Sequence, residues 1–128
     1  MLEIGITNTK ELIVTKENTA LALGSGTLEV FATPAMIALM EGTAAESVEA
    51  FLEEGQTTVG TALDVKHLAA SPIDMPIHCE SELIAVDGRA LTFNVATYDK
   101  AGKIGEGTHS RFIVDAKKFF TKAQGKLD

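Results

Sequence analysis

Residues 31–45 read "FATPAMIALMEGTAA", a stretch that begins as a helix should and then sets a carboxylate where a buried helix should have none. Thr33-Pro34 is a strong helix start. Threonine is a favoured cap, and proline at the first helical position gives up only an N–H that would be unpaired anyway. The apolar residues that follow predict a helix over 34–52, stopped before Gly55. At about 100° per residue, Glu41 falls close to the line of Ile37, Ala44, Val48 and Leu52. Glu46, Glu49 and Glu53 gather on the far side, where water can reach them. A carboxylate on an apolar face costs several kcal/mol unless it is paired or hydrogen-bonded. Glu41 is therefore either half of a structural ion pair, with Arg111 or Lys66, or part of a functional site.

Beyond Gly55 the period of the pattern changes from helical to two. Val59, Thr61, Leu63, Val65, His67 and Ala69 are expected on one face of a first long strand, with Gly60, Ala62, Asp64 and Lys66 on the other. A second run, Met75 to Val86, sets Ile77, Cys79 and Leu83 opposite His78, Glu80 and Glu82. Asp87-Gly88 then reads as a two-residue hairpin turn. Leu91 to Tyr98 and Lys103 to Val114 complete a meander of four long strands. Upstream, a short strand is expected near Lys10–Val14, and Gly24-Ser25-Gly26 marks a break in regular structure. The closing "AKKFFTKAQGKLD" predicts one short helical turn and a frayed tail. One helix must cover the whole sheet, so the natural arrangement is an α+β fold with a curved antiparallel sheet wrapped around a central helix. So small a sheet with one covering helix often completes its burial by dimerising.

The chain has 128 residues with no repeat, low-complexity segment or Pro/Gly-rich linker, which predicts a single domain over 1–128. Hydrophobic residues make up 45% and charged residues 23%, the balance of a soluble globular protein, and no apolar run is long enough for a membrane helix. "MLEIGITNTK" lacks the basic segment and apolar run of an export signal. Cys79 is the sole cysteine, so no internal disulfide can form and the cytoplasm is the expected location. In an alternating strand that cysteine reads as a small core residue. A net charge of −7 argues against a nucleic-acid partner.

His67 changes the weight on Glu41. A lone inward histidine is usually a satisfied core residue, but one facing the same interior as an inward glutamate is a candidate acid/base pair. Thr33 adds a hydroxyl at a helix N-terminus, where backbone N–H groups and the helix dipole favour developing negative charge. Hydroxyl, imidazole and carboxylate are the components of acyl transfer. No metal is expected, because His67, His78 and His109 lack ligand spacing, and "GSG" and "GEG" lack the context of a nucleotide loop.

In this order, "GSGTLEVFATPAMIALME", "TTVGTALDVKHLAASP", "VDGRALTF" and "KIGEGTHSRFIV" resemble the hotdog-fold thioesterases of the fluoroacetyl-CoA thioesterase-like family, over nearly the whole chain. The resemblance implies a hotdog fold, hydrolysis of acyl-CoA thioesters, and a homodimer or dimer of dimers with sites at the subunit boundary. It needs no cofactor beyond the CoA of the substrate. The family's active-site threonine, glutamate and histidine correspond to Thr33, Glu41 and His67. Gly60 matches the glycine whose backbone holds the thioester carbonyl, and Arg111 the arginine of "GTHSRF". The fluoroacetyl-specific type carries bulky aromatic residues before the central helix, whereas "LGSGTLEV" has none before Phe31. Thioester chemistry on short- or medium-chain acyl groups is thus expected and strict fluoroacetyl selection is not. Phe31, Met36 and Met40 are expected to line an adaptable acyl pocket. The competing classes are an acyl-CoA-binding hotdog module without turnover and a hotdog dehydratase, which also uses a histidine and a carboxylate.

Overall fold

The long helix crosses from one edge of the sheet to the other, and this crossing is what makes it central. The computed structural model describes residues 2–128. The elements in chain order are β1 (Thr7–Ile13), α1 (Ala20–Leu23), α2 (Thr33–Glu49), β2 (Gln56–His67), β3 (Pro76–Asp87), β4 (Ala90–Asp99), β5 (Gly102–Asp115) and α3 (Ala116–Gln124). The strands form one antiparallel sheet in the order β1-β3-β4-β5-β2. β1 and β2 hold the two edges, so α2, which connects them, must run across the face between. It buries Met36, Leu39, Met40, Ala44 and Val48 against the inward side chains of the sheet, Phe93 and Leu83 among them. Each of these side chains larger than alanine contributes about 1.5–3 kcal/mol by leaving water.

The helix ends at Glu49 rather than Leu52. Phe51 N–H bonds to Val48 O and Leu52 N–H to Glu49 O, a tighter final turn of the kind that often closes a helix. Two helices exceed expectation. α1 is an addition to the predicted elements; it stops at Gly24, where the predicted break begins, and is capped by Thr19, whose Oγ1 accepts from Ala22 N–H at 3.2 Å. α3 runs for nine residues instead of one turn, started by Asp115, whose Oδ1 accepts from Lys118 N–H at 2.9 Å. The β3–β4 turn falls one residue later than predicted, on Gly88-Arg89, with Asp87 paired to Ala90.

One irregularity decides which side chains face the helix. The β2–β5 register shifts between Gly60 and Ala62, so Thr61 is an extra residue, a β-bulge. Below it Thr58 and Gly60 face inward with Ile113 and Arg111; above it Leu63 and His67 face inward with His109 and Gly105. Simple alternation put Gly60 on the face opposite His67 and Val59 on the same one; the bulge reverses both assignments. Farther along, an alanine Cβ at Gly107 would strike the Asp64 carbonyl and lie 2.6 Å from Val65 Cα, on a backbone with φ of +158°. Gly107→Ala is expected to cost at least about 3 kcal/mol from strain and overpacking together. A urea unfolding curve within about 1 kcal/mol of wild type would contradict this close approach.

Burial is incomplete on one side. β2 pairs only with β5, leaving its other edge open, and residues 60–64 are exposed. The neighbouring flank of α2, with Ile37, Ala38, Glu41 and Ala45, is not buried either. Glu41 thus lies on the border of the buried stripe rather than within it. α2 is apolar nearly all round, yet only part of its circumference is covered, a pattern typical of a helix meant for burial on more than one side.

Candidate active site

The candidate residues form two clusters along the open flank of α2. At its start, Thr33 Oγ1 lies 2.7 Å from His67 Nδ1. The sequence predicts Thr33 as the helix cap, but Ala32 holds that position and the Thr33 side chain makes no capping bond. Its hydroxyl belongs to the imidazole. Several contacts bring the two together. Phe31 N–H bonds to Ser71 O and Ala32 N–H to Asn18 O, which pins the helix start. Leu68 N–H bonds to Ile104 O, which anchors the end of β2. Gly105, opposite His67, has no side chain, and Met36 of the first helical turn fills that space.

Burial lowers the His67 pKa below its ordinary 6.5, with the Ala69 backbone working the other way. The ring is therefore neutral at neutral pH and able to accept a proton. Its Nε2 is buried and has no partner of hydrogen-bonding geometry. A cleft of about 360 Å³ opens beside the pair, lined by Phe31, Ser25, Val30 and Leu68. Met36 and Met40 do not line it. Both are fully buried in the core, so the expected methionine-lined pocket is corrected to one bounded by Phe31 and the segment before α2.

The second cluster surrounds Gly60. Glu41 stands eight residues up the helix from Thr33, about 12 Å at 1.5 Å per residue. Within one chain Glu41 does not join Thr33 and His67. It lines a separate hollow of about 370 Å³ with Thr58, Gly60 and Arg111. A side chain at Gly60 would meet Glu41 Oε2 at 2.8 Å, His109 Cε1 at 3.2 Å and Arg111 Nη1 at 3.4 Å. Only glycine leaves that space open. Arg111 does not form the direct ion pair with Glu41 that the sequence allowed; burial lowers its pKa, and the Glu41 and Glu49 carboxylates only oppose that shift. Lys66 lies on the outer face of the sheet, paired in register with Glu106. Arg111 instead donates from Nε to Thr58 Oγ1 at 2.8 Å and from Nη2 to Thr58 O at 2.9 Å.

His109 is part of this cluster and was absent from the candidate set, although its alternation with Arg111 on β5 was the available signal. A larger hollow, about 720 Å³, lies on the far side of the sheet between Asp64, Glu80, Asn94 and Glu106 and touches none of the candidate residues. Among the described residues no three His, Cys, Asp or Glu side chains gather closely enough to hold a metal ion.

An antiparallel sheet wrapped on one long central helix is the hotdog fold. Comparison with known proteins narrows the class. The profile of the fluoroacetyl-CoA-specific thioesterase family matches residues 14–117. The fluoroacetyl-CoA thioesterase of Streptantibioticus cattleyicolor is 39% identical over 98 residues, spanning 77% of this chain and 70% of that protein. A solved variant of the fluoroacetyl-CoA thioesterase in complex with acetyl-CoA is 32% identical with a TM-score of 0.94, over 99% of this chain and 100% of its own. A thioesterase-superfamily member from Thermus thermophilus is 25% identical with a TM-score of 0.89, over 99% and 96% of the two chains. The chain belongs to the fluoroacetyl-CoA-specific thioesterase family and is a thioester hydrolase.

Proposed function

We propose that this protein hydrolyses short- or medium-chain acyl-CoA thioesters to the free acid and CoA, as a homodimer whose sites each combine Thr33 and His67 of one subunit with Glu41 of the other. The observation that carries this reading is the lone nitrogen of His67. With the Thr33 hydroxyl donating to Nδ1, as its activation requires, a neutral ring holds its proton on Nε2, which is buried and makes no hydrogen bond within the chain. Glu41 is a carboxylate on the uncovered flank of the same helix. Ile37 lies midway between Thr33 and Glu41, and Leu63-Asp64 lies midway between Gly60 and His67. A two-fold axis passing near Ile37 and Leu63 would pair the open β2 edges, set the α2 helices antiparallel, and carry each Glu41–Gly60 hollow toward the other subunit's Thr33 and His67. The same contact would cover the exposed edge and the bare apolar flank.

In this assembly the α2 N-terminus polarises the thioester carbonyl, and Gly60 lets it approach the backbone closely. His67 Nδ1 takes the proton from Thr33, or from a water that Thr33 aligns, as the oxygen adds to the carbonyl carbon. The carbon–sulfur bond then breaks and His67 returns the proton to the CoA thiolate, which gives the free acid at once when water attacks. When Thr33 attacks, a water deprotonated by His67 next adds to the acyl-Thr33 ester, the carbon–Oγ1 bond breaks, and His67 returns the proton to Thr33 Oγ1. The partner's Glu41 balances the charge that His67 gains in between. CoA is part of the substrate, and the site calls for no metal or separate cofactor. The buried Cys79 thiol, its pKa raised chiefly by burial, suits a reducing compartment, and we place the enzyme in the cytoplasm.

The deciding experiment measures free thiol release across a panel of acyl-CoA esters. Binding without release would favour a ligand-holding module, and water addition to an enoyl ester without release a dehydratase. Burial disfavours the imidazolium and the partner's Glu41 favours it, and in either case the base must be unprotonated, so kcat/KM should fall on the acid side as His67 takes up a proton. A kcat/KM that stays flat through the range in which a histidine titrates would count against His67 as the base. The rim of the cleft bears Ser25 but no aromatic before Phe31, so nothing there can select a very small fluorinated group. We expect little preference between fluoroacetyl- and acetyl-CoA, and a change of about ten- to a few hundredfold in kcat/KM per methylene. A fluoroacetyl preference of many orders of magnitude would overturn this assignment of specificity.

A further inference from the structure

We propose that His109 is a positioning residue that, held as the neutral ring with its proton on Nδ1, ties the carbonyl at the β2 bulge to the Arg111 guanidinium and thereby sets the wall around Gly60. The bulge leaves an inner bond to be made at Ala62, whose carbonyl lies 2.9 Å from His109 Nδ1. A carbonyl only accepts, so Nδ1 carries the proton. Nε2 lies 3.1 Å from Arg111 Nη1, and a guanidinium only donates, so Nε2 is the acceptor. The two contacts together leave one possible state for the ring.

Arg111 is thereby fixed to β2 on both sides of the bulge, through Thr58 below and through His109 and Ala62 above. His109 is only 1% exposed and stacks on Phe93, with ring centroids 6.4 Å apart. The charged groups facing it are Arg111 on β5 and Glu41 from α2. Burial, the leading influence, and Arg111 both oppose its protonation, in keeping with the neutral ring that the contacts require. Losing the Nε2 acceptor would free Nη1 to swing toward the Gly60 hollow, where it would draw Glu41 out of place.

The first test needs no turnover. In protein labelled with 15N-histidine, the imidazole resonances of His109 should show a proton on Nδ1 and should not titrate between about pH 5 and pH 8. A proton on Nε2, or titration within that range, overturns the proposal. The second test rests on the thioesterase reading. His109→Asn keeps a donor for Ala62 but cannot reach Arg111, whereas His109→Gln places an acceptor near the Nε2 position. His109→Asn is expected to lower kcat about tenfold or more with KM changed by less than about threefold, and His109→Gln to retain kcat within about threefold. Equal losses in the two variants, or no loss in either, overturn the proposal. If the wild type releases thiol from no acyl-CoA, the functional reading fails, and the imidazole resonances decide the role of His109 alone.

Discussion

Two inactive variants, His67→Ala and Glu41→Gln, are expected to recover activity when their subunits are allowed to mix. In a shared site, the mixed dimer keeps one whole constellation: the Thr33–His67 pair from the Glu41→Gln subunit and Glu41 from the His67→Ala subunit. Its other site has lost both groups. Random pairing makes half of the dimers mixed, each with one working site, so about a quarter of wild-type activity should return. Activity that stays at the level of the separate variants would place all three residues in one chain. It would also require Glu41 to cover the roughly 12 Å along α2 by some large rearrangement.

The single variants should show the larger loss. His67→Ala is expected to lower kcat on a good acyl-CoA by about a hundredfold or more, the usual scale for removing a positioned acid/base. Glu41→Gln preserves the shape and removes the charge, so a comparable loss would assign the effect to charge rather than packing. Thr33→Ala should lose rate while melting close to wild type, because the Thr33 hydroxyl bonds to His67 and caps nothing. Equal rates of thiol release from wild type and His67→Ala would remove His67 from the chemistry.

Much of the fold could be read from alternation. β4 and β5 lie within a residue or so of their predicted bounds, because alternation is clean along the middle of β4, where Leu91, Phe93 and Val95 point inward between polar Thr92 and Asn94, and turn residues mark the ends of both strands. The bulge at Thr61 could not be read this way. A bulge changes the register without changing the kind of residue used, and Thr61 is as good a strand residue as its neighbours. Glu41 was recognised as misplaced, but the helical wheel assumed that every apolar residue faces the core of its own chain. Ile37 and Ala38 instead lie on the open flank, so the centre of the buried stripe is rotated away from Glu41. The bond from Thr33 to His67 spans 34 residues of sequence and competes with a local cap that the sequence made attractive. Long-range geometry of that kind leaves no mark on local pattern. α3 is longer than expected although Ala116, Phe119, Phe120 and Ala123 recur at helical spacing; the signal is present, but the segment is short and none of its side chains is buried.

The bulge also makes length, and not only composition, a constraint on this strand. Gly60 and His67 are separated by an odd number of positions, and in an unbroken strand odd separation means opposite sides. Thr61 changes the parity. Deleting Thr61 alone would leave an even separation, so an unbroken strand would keep His67 on its present side, opposite Gly105. A single added residue that is not absorbed as a second bulge would do the reverse: His67 would point toward the side now held by Glu106, and Asp64 and Lys66 would be driven into the core. Most single substitutions at Thr61 would leave the phase untouched. The chemistry at the two ends of β2 depends on a count.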